Sequence, residues 1–174
     1  GVSLLELLVF IVIVGLGVSG ILAVLNVATG RSADPFPQRQ ALAIAEALLE
    51  EAQLAAFTWC DTDDADALTA TSGIVGAGGC ASTPEALGPE PGDARPFDNV
   101  NDYHGFAMAG ITDLTGAAIA GLGDYSATVT VAPAGLGGIP ADAALLVTVS
   151  VTGPHGARAT LSGYRTRYAP NALP

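Results

Sequence analysis

Apolar and polar positions follow three different patterns along this chain. Over residues 1–30 the sequence GVSLLELLVFIVIVGLGVSGILAVLNVATG carries a single charged side chain, Glu6, and between residues 7 and 25 Ser19 is the only polar one. At a rise of ~1.5 Å per residue such a run makes a helix long enough for a hydrocarbon core of about 30 Å. It exceeds the apolar part of a signal peptide, about 7–15 residues, and it lacks an Ala-x-Ala-like exit. A retained membrane-spanning helix over 1–33 is therefore expected. Within it Gly15, Gly17, Ser19 and Gly20 interrupt the bulky side chains, which either permits close approach of other apolar helices or is routine glycine of a membrane helix.

The second pattern has a helical period. Pro35 and Pro37 are expected to end or kink the first helix. Over 38–59, Leu42, Ala45, Leu49, Ala52, Ala56 and Trp59 recur at spacings of three and four, with Glu46, Glu50 and Gln53 on the other side. This predicts an amphipathic helix. The third pattern, over 103–168, has a period of two. Tyr125, Ala127, Val129 and Val131 alternate with Ser126, Thr128 and Thr130, and Leu145, Val147, Val149 and Val151 alternate with Leu146, Thr148, Ser150 and Thr152. These are half-buried strands. Gly153-Pro154-His155-Gly156 is a turn into a further strand over 157–168, and a shorter strand is expected over 103–111. Between helix and sheet, residues 60–102 are rich in Gly, Pro, Ala and Asp and predict irregular structure. The expected fold class is α+β: a long N-terminal helix, apolar then amphipathic, with a small antiparallel sheet completing a head over 34–174.

Charge narrows the function. Seventeen acidic residues against six basic ones give a net charge of −11. That balance excludes a phosphate-backbone binder, which depends on Lys and Arg, and it opposes adsorption to anionic headgroups. Two His and two Cys are too few for the usual structural zinc sites. No Gly-x-Ser-x-Gly, phosphate-binding Gly-Lys-Ser/Thr or His-Glu-x-x-His motif is present. Asp102 with His104, Ser126, Ser162 and His155 read as unrelated polar positions, so no enzyme, cofactor or nucleic-acid partner is expected.

Gly1-Val2-Ser3-Leu4-Leu5-Glu6-Leu7-Leu8-Val9 resembles the processing site and helix start of type IV pilins and of the related type II secretion pseudopilins. In that family a peptidase cuts after a glycine, the new N-terminus is methylated, and a glutamate stands fifth in the mature chain. The resemblance implies that Gly1 ends the leader, that Val2 begins the mature subunit, and that Glu6 pairs with the N-terminal amine of a neighbouring subunit. A carboxylate in an apolar bundle needs such a paired charge. Val2 departs from the usual Phe or Met, and the basic residues that precede the family's glycine are not part of this sequence. Phe97-Asp98-Asn99-Val100-Asn101-Asp102-Tyr103-His104-Gly105-Phe106 is similar to a segment of accessory subunits of mannose-sensitive haemagglutinin pili, as is the ending Tyr164-Arg165-Thr166-Arg167-Tyr168.

The implied protein is a subunit of a type IV pilus or pilus-like filament. It would sit in the bacterial inner membrane before assembly and in an extracellular filament afterwards, with other pilin subunits, the assembly machinery and the prepilin peptidase as partners. The alternatives are a secretion pseudopilin and a membrane-anchored or tip adhesin. In an exported head Cys60 and Cys80 are expected to form a disulfide. Between them Asp61, Asp63, Asp64 and Asp66 resemble the front of an oxygen-ligand calcium loop. The sixth and twelfth positions are Asp66 and Ser72 instead of Gly and Glu, so the EF-hand pattern fails. A solvated acidic turn is the other reading of these four carboxylates.

Overall fold

A computed structural model describes residues 1, 3–30 and 35–172, and their side chains except those of 26–30. The chain divides into two compact units, Gly1–Pro35 and Phe36–Pro174. The first contains helix α1, Leu4–Gly30. Its stretch Leu4–Leu25 has a mean hydropathy of 2.9 and is long and apolar enough to cross a membrane. The backbone stays helical through Gly15, Gly17 and Gly20, where Ser19 Oγ donates to the Leu16 carbonyl at 3.0 Å.

Helix α2 runs Pro35–Leu54 and, from Phe36 on, opens the second unit. This corrects the expectation at both ends. Pro35 starts the helix because the first helical position needs no N–H and favours the fixed φ of proline. The helix stops at Leu54, five residues short of Trp59, because the chain is drawn into extended pairing: the Ala56 N–H donates to the Asp98 carbonyl and the Val100 N–H to the Ala56 carbonyl. The β-branched and aromatic residues Phe57, Thr58 and Trp59 favour that exit.

The sheet has four antiparallel strands in chain order: β1, Ala107–Ala109; β2, Ser126–Pro133; β3, Ala144–Thr152; and β4, Arg158–Thr166. The strand expected over 103–111 contracts to three residues, because Val100–Tyr103 forms a 3-10 turn. The turn carries a reciprocal cap between Asn99 and Asp102, which competes with extended structure. On β2 and β3 the alternation holds, with Ala127, Val129, Val131, Leu145, Val147, Val149 and Val151 buried. On the outer face hydroxyls pair across strands: Ser126 with Thr152, Thr148 with Ser162, and Ser150 with Thr160.

α2 meets the inner sheet face through Ala41, Ile44, Ala45, Leu48 and Ala52. The buried stripe is turned by about one position from the expected one, since Leu42 is 40% exposed and Ala41 is fully buried. Small side chains let the helix axis come close to the valines. Two glutamines mark its course along β4. Gln38 accepts from the Arg158 N–H and donates to the Arg158 carbonyl, and Gln53 donates to the Tyr164 carbonyl. Gly163 leaves the room for Gln53, because a Cβ there would lie 2.2 Å from Nε2.

A nearly buried ion pair joins α2 to the irregular segment. Arg95 grips Glu51 with Nε at 2.7 Å and Nη2 at 2.6 Å, and the Tyr103 hydroxyl donates to the same carboxylate at 2.9 Å. Arg95 also donates to the Thr112 carbonyl at 2.9 Å. Breaking one partner of a buried pair costs about 3–5 kcal/mol, so Glu51→Gln is expected to destabilise the head by about 3 kcal/mol in urea unfolding. A loss below about 1 kcal/mol would refute this role.

Candidate functional site

The positions singled out in the sequence fall in separate places. Val2 lies outside the described residues. Glu6 occupies the first turn of α1. Ser3 Oγ accepts the Glu6 N–H at 3.3 Å and the Ser3 carbonyl accepts the Leu7 N–H. The Ser-x-x-Glu spacing is thus a helix start, a signal present in the sequence beside the apolar run. A carboxylate in the first turn also suits the positive end of the helix dipole. No basic residue occurs between Gly1 and Arg31 in the sequence, so α1 itself contains no cation for Glu6.

Cys60 and Cys80 form a disulfide, with Cα atoms 5.5 Å apart. They are fully buried in a small second core with Ala67 and Ala70, against which Trp59 packs. The four aspartates of this loop do not act alike. Asp64 turns inward and is 8% exposed. Its Oδ1 accepts the N–H of Asp66 and of Ala81, both at 2.9 Å. Its Oδ2 accepts the N–H of Ser82 and of Thr83, both at 2.8 Å, and the Ser82 hydroxyl at 3.1 Å. These donors, led by the Thr83 and Asp66 N–H groups, hold its carboxyl well below the usual range. Asp61 closes a local turn by accepting the Asp63 N–H at 2.8 Å, Asp63 is exposed, and Asp66 is half-buried. Among the described residues these four carboxylates do not converge on a common point.

The segment 97–106 makes a different junction. Phe97, Tyr103 and Phe106 stack edge to face, with centroids 5.0, 5.7 and 6.5 Å apart. Asn99 Nδ2 donates to the buried Thr58 hydroxyl at 2.7 Å. At the chain's other end Arg165 donates to the Ala55 carbonyl at 3.0 Å, and the Arg167 guanidinium lies 3.9 Å from the ring centroids of both Phe57 and Trp59. Both segments that carry the second resemblance therefore close the exit of α2.

Positions weighed for nucleophilic chemistry have other partners. Ser126 bonds Thr152, Ser162 bonds Thr148, and His104 Nδ1 accepts the Val131 N–H at 3.2 Å. His155 sits exposed in the 153–156 turn with φ 55°.

One convergence was missed from the sequence. Glu85, Glu90 and Asp102 each present a carboxylate oxygen, and the three lie within 4.8 Å of one another. Asp102 is 1% exposed. Its Oδ2 accepts the Asn99 N–H at 3.1 Å, while its Oδ1 and Glu85 Oε1 are buried without a hydrogen-bond partner among the described residues. Burial, reinforced by the neighbouring acids, pushes the Glu85 carboxyl up to about 9 and raises those of Glu90 and Asp102. No local spacing announces this group, because it joins two loop positions to a turn more than ten residues away.

Comparison with known proteins found no matching family model, no matching curated protein and no matching solved structure.

Two outcomes follow from the disulfide loop. Closing a loop of this length stabilises by about 3 kcal/mol, so Cys60→Ser with Cys80→Ser is expected to lower unfolding stability by about that amount. Reducing agent should reproduce the loss in the parent chain and leave the variant unaffected. The Asp64 carboxylate is depressed in the folded state, so its stabilisation is complete above the ordinary aspartate range near 3.8 and is lost as pH falls through and below it. The stability gap between the parent and Asp64→Asn should accordingly be widest near neutral pH and narrow toward pH 2. A gap constant with pH in thermal melts would remove Asp64 as the charged organiser of the loop.

Proposed function

We propose that this chain is a structural subunit of a pilus-like filament of the type IV pilin kind. In this reading α1 lies in the bacterial inner membrane before assembly and in the filament core afterwards. The observation that carries the reading is the nakedness of α1. From Leu4 to Leu25 its large apolar side chains are 44–82% exposed, and none of the span is buried inside the chain's own fold. A helix apolar on every side needs a lipid or a bundle of other helices around it. Each fully buried Leu, Ile or Val contributes about 1.5–3 kcal/mol, enough in sum to drive both insertion and stacking.

Glu6 chooses between a simple anchor and an assembling helix. In a close-packed core of such helices its carboxylate needs a cation. The free α-amine of an adjacent subunit, exposed by cleavage between Gly1 and Val2, supplies one without adding a basic side chain to the apolar span. Small residues at 15, 17, 19 and 20 suit close approach of another helix. The disulfide agrees with a head that folds in an oxidising compartment.

Filaments sheared from producing cells, viewed by electron microscopy and identified by mass spectrometry, test the proposal. Long filaments built of this chain and starting at an N-methylated Val2 are expected. Glu6→Ala should leave membrane insertion and disulfide formation unchanged and reduce filament number at least about tenfold, the order expected from losing about 1.4 kcal/mol or more per subunit contact. Normal filaments from Glu6→Ala would overturn the pairing. A monomer confined to the membrane would overturn the filament and leave an anchored binding module.

A further inference from the structure

We propose that Glu85, Glu90 and Asp102 form a calcium-binding site in the head, independently of whether the chain assembles. Three observations point to a cation there. One oxygen from each carboxylate lies within 4.8 Å of the others. Asp102 is buried to 99% and contributes one carboxylate oxygen to the cluster; its Oδ1 and Glu85 Oε1 are buried without a donor, and the side chain in hydrogen-bonding contact with Asp102 is another acid, Glu90. And among the described residues the nearly buried Glu51–Arg95 contact is the only ion pair, so no side-chain cation closes on the three acids. Arg167 is close enough for its charge to be felt by Glu85, but its guanidinium is committed to the Asp142 carbonyl and to the rings of Phe57 and Trp59.

The backbone holds these oxygens in place. The Gly88 N–H donates to the Asn101 carbonyl at 3.0 Å, which fastens the 85–90 loop to the 3-10 turn beside Asp102. The Glu85 N–H donates to the Trp59 carbonyl at 3.1 Å, and the Asn99 N–H fixes the other oxygen of Asp102. Glu90 is fastened by exchange with Asp93, donating its N–H to the Asp93 carboxylate and accepting the Asp93 N–H on its carbonyl. Buried carboxylates with raised proton affinity are a place where a cation can take over from the proton.

The donor set selects the ion. All three ligands are carboxylate oxygens, which suit a hard cation and lack the imidazole or thiolate that zinc and copper sites favour. At Ca–O distances of about 2.3–2.6 Å, two ligands on opposite sides of the ion stand up to about 5 Å apart. At about 2.0–2.1 Å for magnesium they stand at most about 4 Å apart, in a stricter octahedron. Oxygens gathered from an irregular loop and a turn fit the larger, more flexible calcium shell better than a strict octahedron. Glu90, half-buried, provides the side from which the ion and its waters enter.

The test uses the full chain in a neutral detergent at pH 7.5 and about 0.15 M salt, the ionic strength at which surface screening is already strong. After chelation it is titrated with calcium chloride. Thermal unfolding and the fluorescence of Trp59, the single tryptophan, are followed together. The melting temperature should rise and saturate with a midpoint of about 0.1–1 mM, the range of extracellular calcium modules, with a smaller response to magnesium. Glu90→Gln should fold, weaken calcium at least tenfold, and be as stable as the parent in chelator because one buried charge is gone. Asp102→Asn should behave alike if it folds, whereas Asp63→Asn should keep the parent response. No calcium-dependent rise up to 10 mM in the parent would overturn the site. So would an undiminished response in Glu90→Gln, or a response abolished by Asp63→Asn, which would move the ion to the disulfide loop.

Discussion

The seat of α2 on the sheet is the contact on which the head depends. Ala41, Ala45 and Ala52 are fully buried against the valines of β2 and β3, so the helix backbone itself supplies much of the packing surface. Such a seat is intolerant of volume: one added methylene at an alanine would push the helix off the sheet. Its position then fixes everything beyond Leu54. Ala55 presents its carbonyl to Arg165, Ala56 pairs with the 98–100 segment, and Glu51 receives Arg95 and Tyr103. The irregular half of the head is thus hung from the last two turns and the exit of one helix.

A chain with seventeen acids and six arginines has to ration its cations. Three of them are placed at joints: Arg95 between α2, the 3-10 turn and the 112–113 backbone, Arg165 at the helix exit, and Arg167 between two aromatic rings. Planar, always-charged guanidinium groups suit these positions because they bond carbonyls and stack on rings at once. Acids beyond the reach of these joints find other solutions. Asp64 is neutralised by backbone N–H groups, whereas Glu85, Glu90 and Asp102 are gathered without a donor sufficient for them.

Much of this architecture could be read in the sequence where the pattern is local. The period of two named the inward residues through the middle of β2 and β3 correctly, since a strand buried on one face alternates there, while the end residue Ala144 is buried as well. The apolar span was equally plain. Helix α2 was legible in existence and not in limits: Pro35 is a stop signal inside a helix and a start signal at its first turn, and only the following residues decide. Its buried stripe was read one position off because Leu42 outweighs Ala41 in any count of hydrophobicity, while packing at close range selected the smaller side chain. The disulfide was legible from the only two cysteines of the sequence. The five-donor shell of Asp64 and the meeting of Glu85 with Asp102 were not, because both are made by loops whose approach depends on the Trp59 and Asn101 carbonyls rather than on spacing along the chain.

The two glutamines on α2 have an effect beyond holding the helix. Residues 158 and 164 both turn peptide groups away from β3, toward the open side of the last strand, where Gln38 takes both groups of Arg158 and Gln53 takes the Tyr164 carbonyl. At the opposite margin the sheet ends in a strand of three residues. The glutamines thus cover the two ends of the β4 edge and the other margin is only three residues long, which shortens the backbone open to pairing with another molecule.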